Sequence, residues 1–208
     1  MRIQLPVIYP LTNREISGIS HAEQVRQLTK AGATLIQLRE KDLSAGEFLA
    51  EAFPAVRMAR ENGARVIIND RIDIAMLTQA DGVHLGQGDL PPASARRILG
   101  EDAVIGISTH DLEQVKQASE QPIDYIAFGP IFDTATKSDR EPVTGLKALA
   151  EIRNLIPDIP IVAIGGINAE NIKDVLDTGA NCVAVINAVL DSKDGIASNY
   201  QRLLERAA

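Results

Sequence analysis

Short apolar runs rich in valine and isoleucine recur along the chain: PVIY (6–9), TLIQL (34–38), RVIIN (65–69), GVHL (82–85), AVIGI (103–107), DYIAF (124–128), IPIVAI (159–164) and CVAVI (182–186). None alternates strictly between apolar and polar, which predicts strands covered on both faces, as parallel strands flanked by helices are. Helical spacing fills the intervals at 20–30, 45–62, 72–79, 93–99, 112–119, 146–155, 169–177 and 195–208. Ser44, Asp111 and Asn168 are placed to cap helix starts, and Gly32, Gly63 and Gly179 suit the left-handed residue that ends a helix. Eight strands, each followed by a helix, predict a compact (β/α)8 TIM barrel as a single α/β domain over residues 1–208. The competing architecture is an open doubly wound sheet, but no GxGxxG turn follows the first strand.

Composition narrows the function without choosing it. The chain has 208 residues, 45% hydrophobic and 24% charged, enough to bury one full core. A formal net charge of -7 argues against a general nucleic-acid binder, so any anion must meet a local basic cluster. Cys182 is the one cysteine, which excludes a disulfide framework and predicts a buried thiol. No apolar run approaches the ~20 residues that cross a bilayer, and a soluble, cytoplasmic protein without a membrane partner is expected.

In a barrel the polar residues that matter sit where strands end. Here those are Gln37, Arg39, Glu40 and Lys41 after the second strand, Asn69 and Asp70 after the third, and Gln87 and Asp89 after the fourth. Ser108 and Thr109 follow the fifth, Thr134, Thr136 and Lys137 the sixth, Gly165 and Gly166 the seventh, and Asn187 the eighth. Singly, each reads as a solvated charge, a cap or a tight turn; Asp70, for one, reads as a cap on a helix beginning at Arg71. Together they put chemistry from consecutive strands on one rim.

The glycines of AIGGI (163–167), before a helix start, suit close approach to a phosphate. Arg39, Lys41 and Lys137, with the carboxylates Asp70 and Asp89, suit a second anion held partly through magnesium, which takes few protein ligands and borrows phosphate oxygens. GPIFDTATK (129–137) turns from an apolar strand into a hydroxyl cluster with one lysine. His84 is expected to be structural, His110 to cap or touch substrate, and His21 to lie on the surface of the first helix. Neither a zinc HExxH nor a GxSxG nucleophile elbow occurs.

QLREK (37–41), INDR (68–71), DGVHLGQGD (81–89), GIST (106–109), GPIFDTATK and AIGGI together resemble the thiamine-phosphate synthase family, in the family's order through nearly the whole chain. The resemblance implies a TIM barrel transferase that joins hydroxymethylpyrimidine diphosphate to a thiazole phosphate and releases diphosphate. It implies that Gln37, Leu38, Arg39, Glu40, Lys41, Asn69, Ser108 and Lys137 bind the pyrimidine diphosphate, with Arg39, Lys41, Ser108 and Lys137 acting in catalysis. Thr134, Ala135, Thr136, Gly166, Ile186 and Asn187 would receive the thiazole phosphate, and Asp70 and Asp89 would hold Mg2+. Asn187, Asp133 and Asn13 depart from residues common in the family. Two rival readings are a thiazole tautomerase, which would need neither metal nor diphosphate, and a non-catalytic thiamine-phosphate-binding regulator. Barrels of this size often pair, which leaves a homo-oligomer open, and residues 138–142 are expected to cover the substrates.

Overall fold

The computed structural model of the chain describes residues 4–134, 141–191 and 194–208. Eight parallel strands close into a barrel in chain order: β1 (Ile8–Thr12), β2 (Leu35–Leu38), β3 (Arg65–Asn69), β4 (Gly82–Leu85), β5 (Val104–Thr109), β6 (Tyr125–Phe128), β7 (Ile161–Ile164) and β8 (Cys182–Val185). Closure is made by β1 against β8, with Tyr9 opposite Ala184. The expected barrel is therefore the fold, and the open sheet is excluded.

The strands carry two apolar faces. One set of side chains, including Ile36, Ile68, Val83, Ile126 and Val183, packs outward with the helices; the other, including Tyr9, Leu35, Ile67, Tyr125, Val162 and Cys182, fills the barrel interior. Burial on both faces explains why the runs look continuously apolar, since period-2 alternation marks only strands with one wet face. Gly106 shows how tightly the interior is filled. A Cβ there would lie 2.1 Å from Cζ of Tyr125, so only glycine leaves the ring its place.

Ten helices surround the barrel among the described residues: α1 (Arg14–Ser17), α2 (His21–Lys30), α3 (Ala45–Glu61), α4 (Ile72–Thr78), α5 (Pro92–Leu99), α6 (Leu112–Ser119), α7 (Gly145–Leu155), α8 (Ile172–Asp177), α9 (Asn187–Leu190) and α10 (Ile196–Ala207). Ser44 caps α3 in a reciprocal box with Glu47, and Asp111 accepts from the Gln114 N–H at the start of α6. Gly32, Gly63 and Gly179 all adopt positive φ, as helix-ending residues do. None of the helices is long and apolar enough to cross a membrane.

Several expectations need correction. β1 begins at Ile8 and runs on through Pro10 to Thr12, beyond the expected end at Tyr9. Ser108 and Thr109 are the last two residues of β5 rather than part of the following loop. Asn168 does not start α8; its Oδ1 accepts from the Glu170 N–H in a turn, and the helix begins at Ile172. The short helices α1 and α9 lack the length that gives a periodic signal.

His21 is the largest departure from expectation. It is fully buried rather than on the surface, with Nδ1 2.6 Å from Thr12 Oγ1 and Nε2 3.3 Å from Glu40 Oε2. Burial lowers its pKa, and the Glu40 carboxylate opposes that shift. The segment after β2 is thus fastened to the first helical layer through Glu40.

Candidate active site

All of the chemistry foreseen on the described residues stands at the C-terminal ends of the strands, and it divides into two neighbouring parts. On the β2–β4 side, Gln37 and Asn69 project into the top of the barrel as members of the inward-facing rows. Leu38 belongs to the outward layer that packs against the helices, so only its main chain is available to a ligand. Glu40 turns back on its own loop, accepting from the N–H groups of Lys41 at 2.9 Å and Asp42 at 3.3 Å as well as meeting His21. It holds the loop that carries Arg39 and Lys41.

Lys41 Nζ is ion-paired to Asp70 Oδ2. Asp70 does not cap α4, whose first residue is Ile72 and whose start has no side-chain cap. Instead Asp70 sits at φ 62, a left-handed conformation uncommon outside glycine, with its N–H donating to the His84 carbonyl at 2.8 Å. That turn aims its carboxylate at Lys41 and at Asp89. Asp89 accepts the Gly86 N–H at 2.7 Å. Burial pushes the Asp89 carboxyl above its ordinary value; the Gly86 N–H opposes this, and the adjoining Asp70 charge adds to it.

Arg39 is 8% exposed and makes no hydrogen bond among the described residues; burial lowers its pKa, and the charges of Asp70, Glu40 and Asp42 act against that. Asn69 is likewise buried, and its Nδ2 has no partner among the described residues. Buried donors without acceptors cost stability unless a ligand supplies them. The Asn69 amide N–H is in that condition, and the largely buried Arg39 guanidinium stands on the same rim, where an acceptor-rich group would satisfy the one and neutralise the other. The touching carboxylates Asp70 and Asp89 call for the opposite, a cation, since two like charges in a partly buried place raise each other's energy.

On the β5–β8 side lies a cavity of about 440 Å³. Ser108, Thr134, Gly166, Ile186 and Asn187 line it, together with His110, Asp133, Gly129 and Gly165. Gly166 has φ +65, and a Cβ there would fall 2.6 Å from the Asp133 carbonyl oxygen and 2.7 Å from Phe132 Cβ. The turn after β7 therefore packs backbone to backbone against the segment after β6. His110 Nδ1 meets the Gly129 carbonyl, which makes it a brace for that segment. Ser108 joins the two parts: its carbonyl accepts from Gln87 Nε2 at 2.6 Å, and its Oγ lies 2.9 Å from His84 Nε2. Ala135, Thr136 and Lys137, and Ser138, Asp139 and Arg140 of the expected cover, lie outside the described residues.

Sequence reasoning expected a structural His84, and the residue points inward, to Tyr125 and Ser108. It passed over Tyr9 and Tyr125 because a tyrosine within an apolar run carries no mark of whether it faces barrel or helix. The alternation of the neighbouring residues was the available signal.

A barrel that gathers cations and paired carboxylates beside a glycine-lined cavity on one rim defines an enzyme acting on phosphorylated small molecules. The comparisons with known proteins specify it further. The chain belongs to the thiamine monophosphate synthase family, whose model matches residues 8–189. It is 43% identical over 202 residues to the thiamine-phosphate synthase of Syntrophomonas wolfei, covering 96% of each chain. With the thiamine-phosphate synthase of Clostridium novyi it shares 45% identity over 188 residues, 90% of this chain and 92% of the relative. Among solved structures, thiamine phosphate pyrophosphorylase from Pyrococcus furiosus superposes with a TM-score of 0.88 at 34% identity, covering 99% of this chain and 96% of that one.

Proposed function

We propose that the chain, acting as one catalytic domain, is a transferase that joins 4-amino-2-methyl-5-hydroxymethylpyrimidine diphosphate to 4-methyl-5-(2-phosphooxyethyl)thiazole, forming thiamine phosphate and releasing diphosphate. The observation that carries this reading is the meeting of Arg39, Lys41, Asp70 and Asp89 beside a cavity of small-molecule size. A tautomerase that only shifts a proton gains nothing from that set of charges. Membership of the family supports the same reaction.

Each residue has a physical task. Arg39, Lys41 and Lys137 bind the diphosphate and stabilise the negative charge that grows on it as the carbon–oxygen bond breaks. Asn69 gives its Nδ2–H to the pyrimidine diphosphate, and Gln37 and Ser108 bind the same substrate. The carboxylates Asp70 and Asp89 suit Mg2+, a hard ion that keeps waters and takes phosphate oxygens as its remaining ligands. When bound, magnesium neutralises charge on the leaving diphosphate. Thr134, Ala135, Thr136, Gly166, Ile186 and Asn187 hold the phosphate of the thiazole, so that the ring nitrogen faces the pyrimidine methylene carbon.

The bond changes balance without a base. The electrons of the broken carbon–oxygen bond leave with diphosphate, and the nitrogen lone pair forms the new carbon–nitrogen bond. No proton moves at the reacting atoms, which agrees with a rim whose histidines His84 and His110 are already engaged with protein partners. Positioning and charge stabilisation are what such a site must supply.

Mixing the two substrates with purified protein and magnesium, and following diphosphate and thiamine phosphate together, tests the reading; binding without turnover would point to a regulator instead. A sharper check concerns the acceptor side. Gly166→Ala forces a Cβ into the Asp133 backbone at a positive φ, so the KM for the thiazole phosphate should rise about 10- to 100-fold. An unaltered KM would remove the β7 turn from the phosphate site.

A further inference from the structure

Behind Ser108 the barrel interior holds four polar side chains in line. Gln37 Nε2 donates to Tyr9 Oη at 3.1 Å, the hydroxyls of Tyr9 and Tyr125 are 3.4 Å apart, Tyr125 Oη is 2.9 Å from His84 Nδ1, and His84 Nε2 is 2.9 Å from Ser108 Oγ. None of these four is more than 7% exposed, so bulk water does not interrupt the line. Ring packing holds it in place: Tyr9 meets Tyr125 edge-on at 6.2 Å, and His84 stacks on Tyr125 at 5.5 Å.

Counting protons gives the line a direction. Each tyrosine hydroxyl has one proton to give. Tyr9 Oη already receives an N–H from Gln37, and Tyr125 Oη is the acceptor within its reach. Tyr125 then turns its own proton to His84 Nδ1. A ring nitrogen that accepts is bare, so the neutral imidazole carries its proton on Nε2 and gives it to Ser108 Oγ. Ser108 accepts from His84, and its hydroxyl proton is the one left over, at the wall of the cavity it lines. The reverse direction would set Tyr9 to receive from both Gln37 and Tyr125 and strand its own proton in an apolar interior.

We infer that the line Gln37–Tyr9–Tyr125–His84 is a positioning device that makes Ser108 a fixed hydrogen-bond donor to the substrate. A serine and a histidine 2.9 Å apart resemble a nucleophile and its base. The proton order here is the opposite, and the serine is kept from being deprotonated. Such a donor complements an anionic oxygen, whose negative charge grows as diphosphate departs. His84 acts through Ser108 and does not touch the reacting atoms. The inference rests on the proposed reaction only in what Ser108 donates to; the proton order stands apart from it.

Two-bond 1H–15N spectra of the protein labelled with 15N-histidine read the order directly. His84 should show a protonated Nε2 and a bare Nδ1; a protonated Nδ1 overturns the inference. Tyr125→Phe removes the hydroxyl that selects this tautomer while keeping the ring, and should lower kcat about tenfold with the KM for the thiazole phosphate unchanged. An unchanged kcat in that variant also overturns it. If the phenylalanine variant folds poorly, His84→Gln, whose amide N–H replaces the donor to Ser108, should retain more kcat than His84→Ala; equal rates count against the device. A wild-type protein that makes no thiamine phosphate would sink the reaction assignment, while the spectra would still decide the proton order.

Discussion

Asp70→Asn lowers kcat by about two to three powers of ten, the size of effect seen when a contact to developing charge is lost. The substitution changes charge and little else. Asp70 occupies a left-handed backbone position at φ 62, which asparagine tolerates, and its N–H bond to the His84 carbonyl is unaffected. Alanine lacks the short polar side chain that lets aspartate and asparagine tolerate that φ, and would confuse the result. With the carboxylate gone, Lys41 loses its partner and Asp89 loses the like charge beside it. Diphosphate release measured across a magnesium titration should therefore show a lower maximum and a higher magnesium requirement, with Tm nearly unchanged. Wild-type turnover with wild-type metal dependence would dismiss the carboxylate pair from the mechanism.

Asp124→Ala tests the other end of the barrel and should act on stability alone. Asp124 stands just before β6, with Oδ2 2.7 Å from the Arg96 guanidinium and 2.9 Å from the Ile105 N–H, and both residues of the pair are nearly buried. Removing the carboxylate leaves a buried cation and a buried N–H without that acceptor. Arg96 keeps bonds to the carbonyls of Gly100, Glu101, Ala103 and Pro122, which softens the loss. A cost of about 3 kcal/mol is expected, at the low end for a broken buried ion pair. For a chain of this size that lowers Tm by about 6–12 °C in calorimetry. Because the pair lies at the N-terminal ends of the strands, kcat measured well below Tm should stay at the wild-type value; a large fall in kcat there would mean that the two ends are coupled.

The barrel was legible because its signal is repeated. Eight apolar runs, each followed by a helical pattern and several by capping residues such as Ser44 and Asp111, leave few arrangements open, and local chemistry agrees with the global fold. The rim residues were legible for a related reason: charged and small polar residues at the C-terminal ends of buried strands stand out against their surroundings, as Arg39, Asp70 and Asp89 do. What escaped notice was what those residues touch. His21 opens an amphipathic helix and looks exposed, yet Thr12 of β1 and Glu40 of the segment after β2 take it into the interior. Glu40 sits among residues expected to bind substrate, and its carboxylate meets His21 and the N–H groups of its own loop.

The order of the elements, their type and the list of residues at the strand ends follow from patterns within the chain, since period, capping and burial are local properties. Tertiary structure alone decided which way each side chain faces and what it meets. Nothing local shows that Asp70 turns left-handed toward Lys41, or that Tyr9 and Tyr125 meet inside the barrel to hold His84 against Ser108. These contacts join residues from different strands, and their geometry exists only once the sheet has closed.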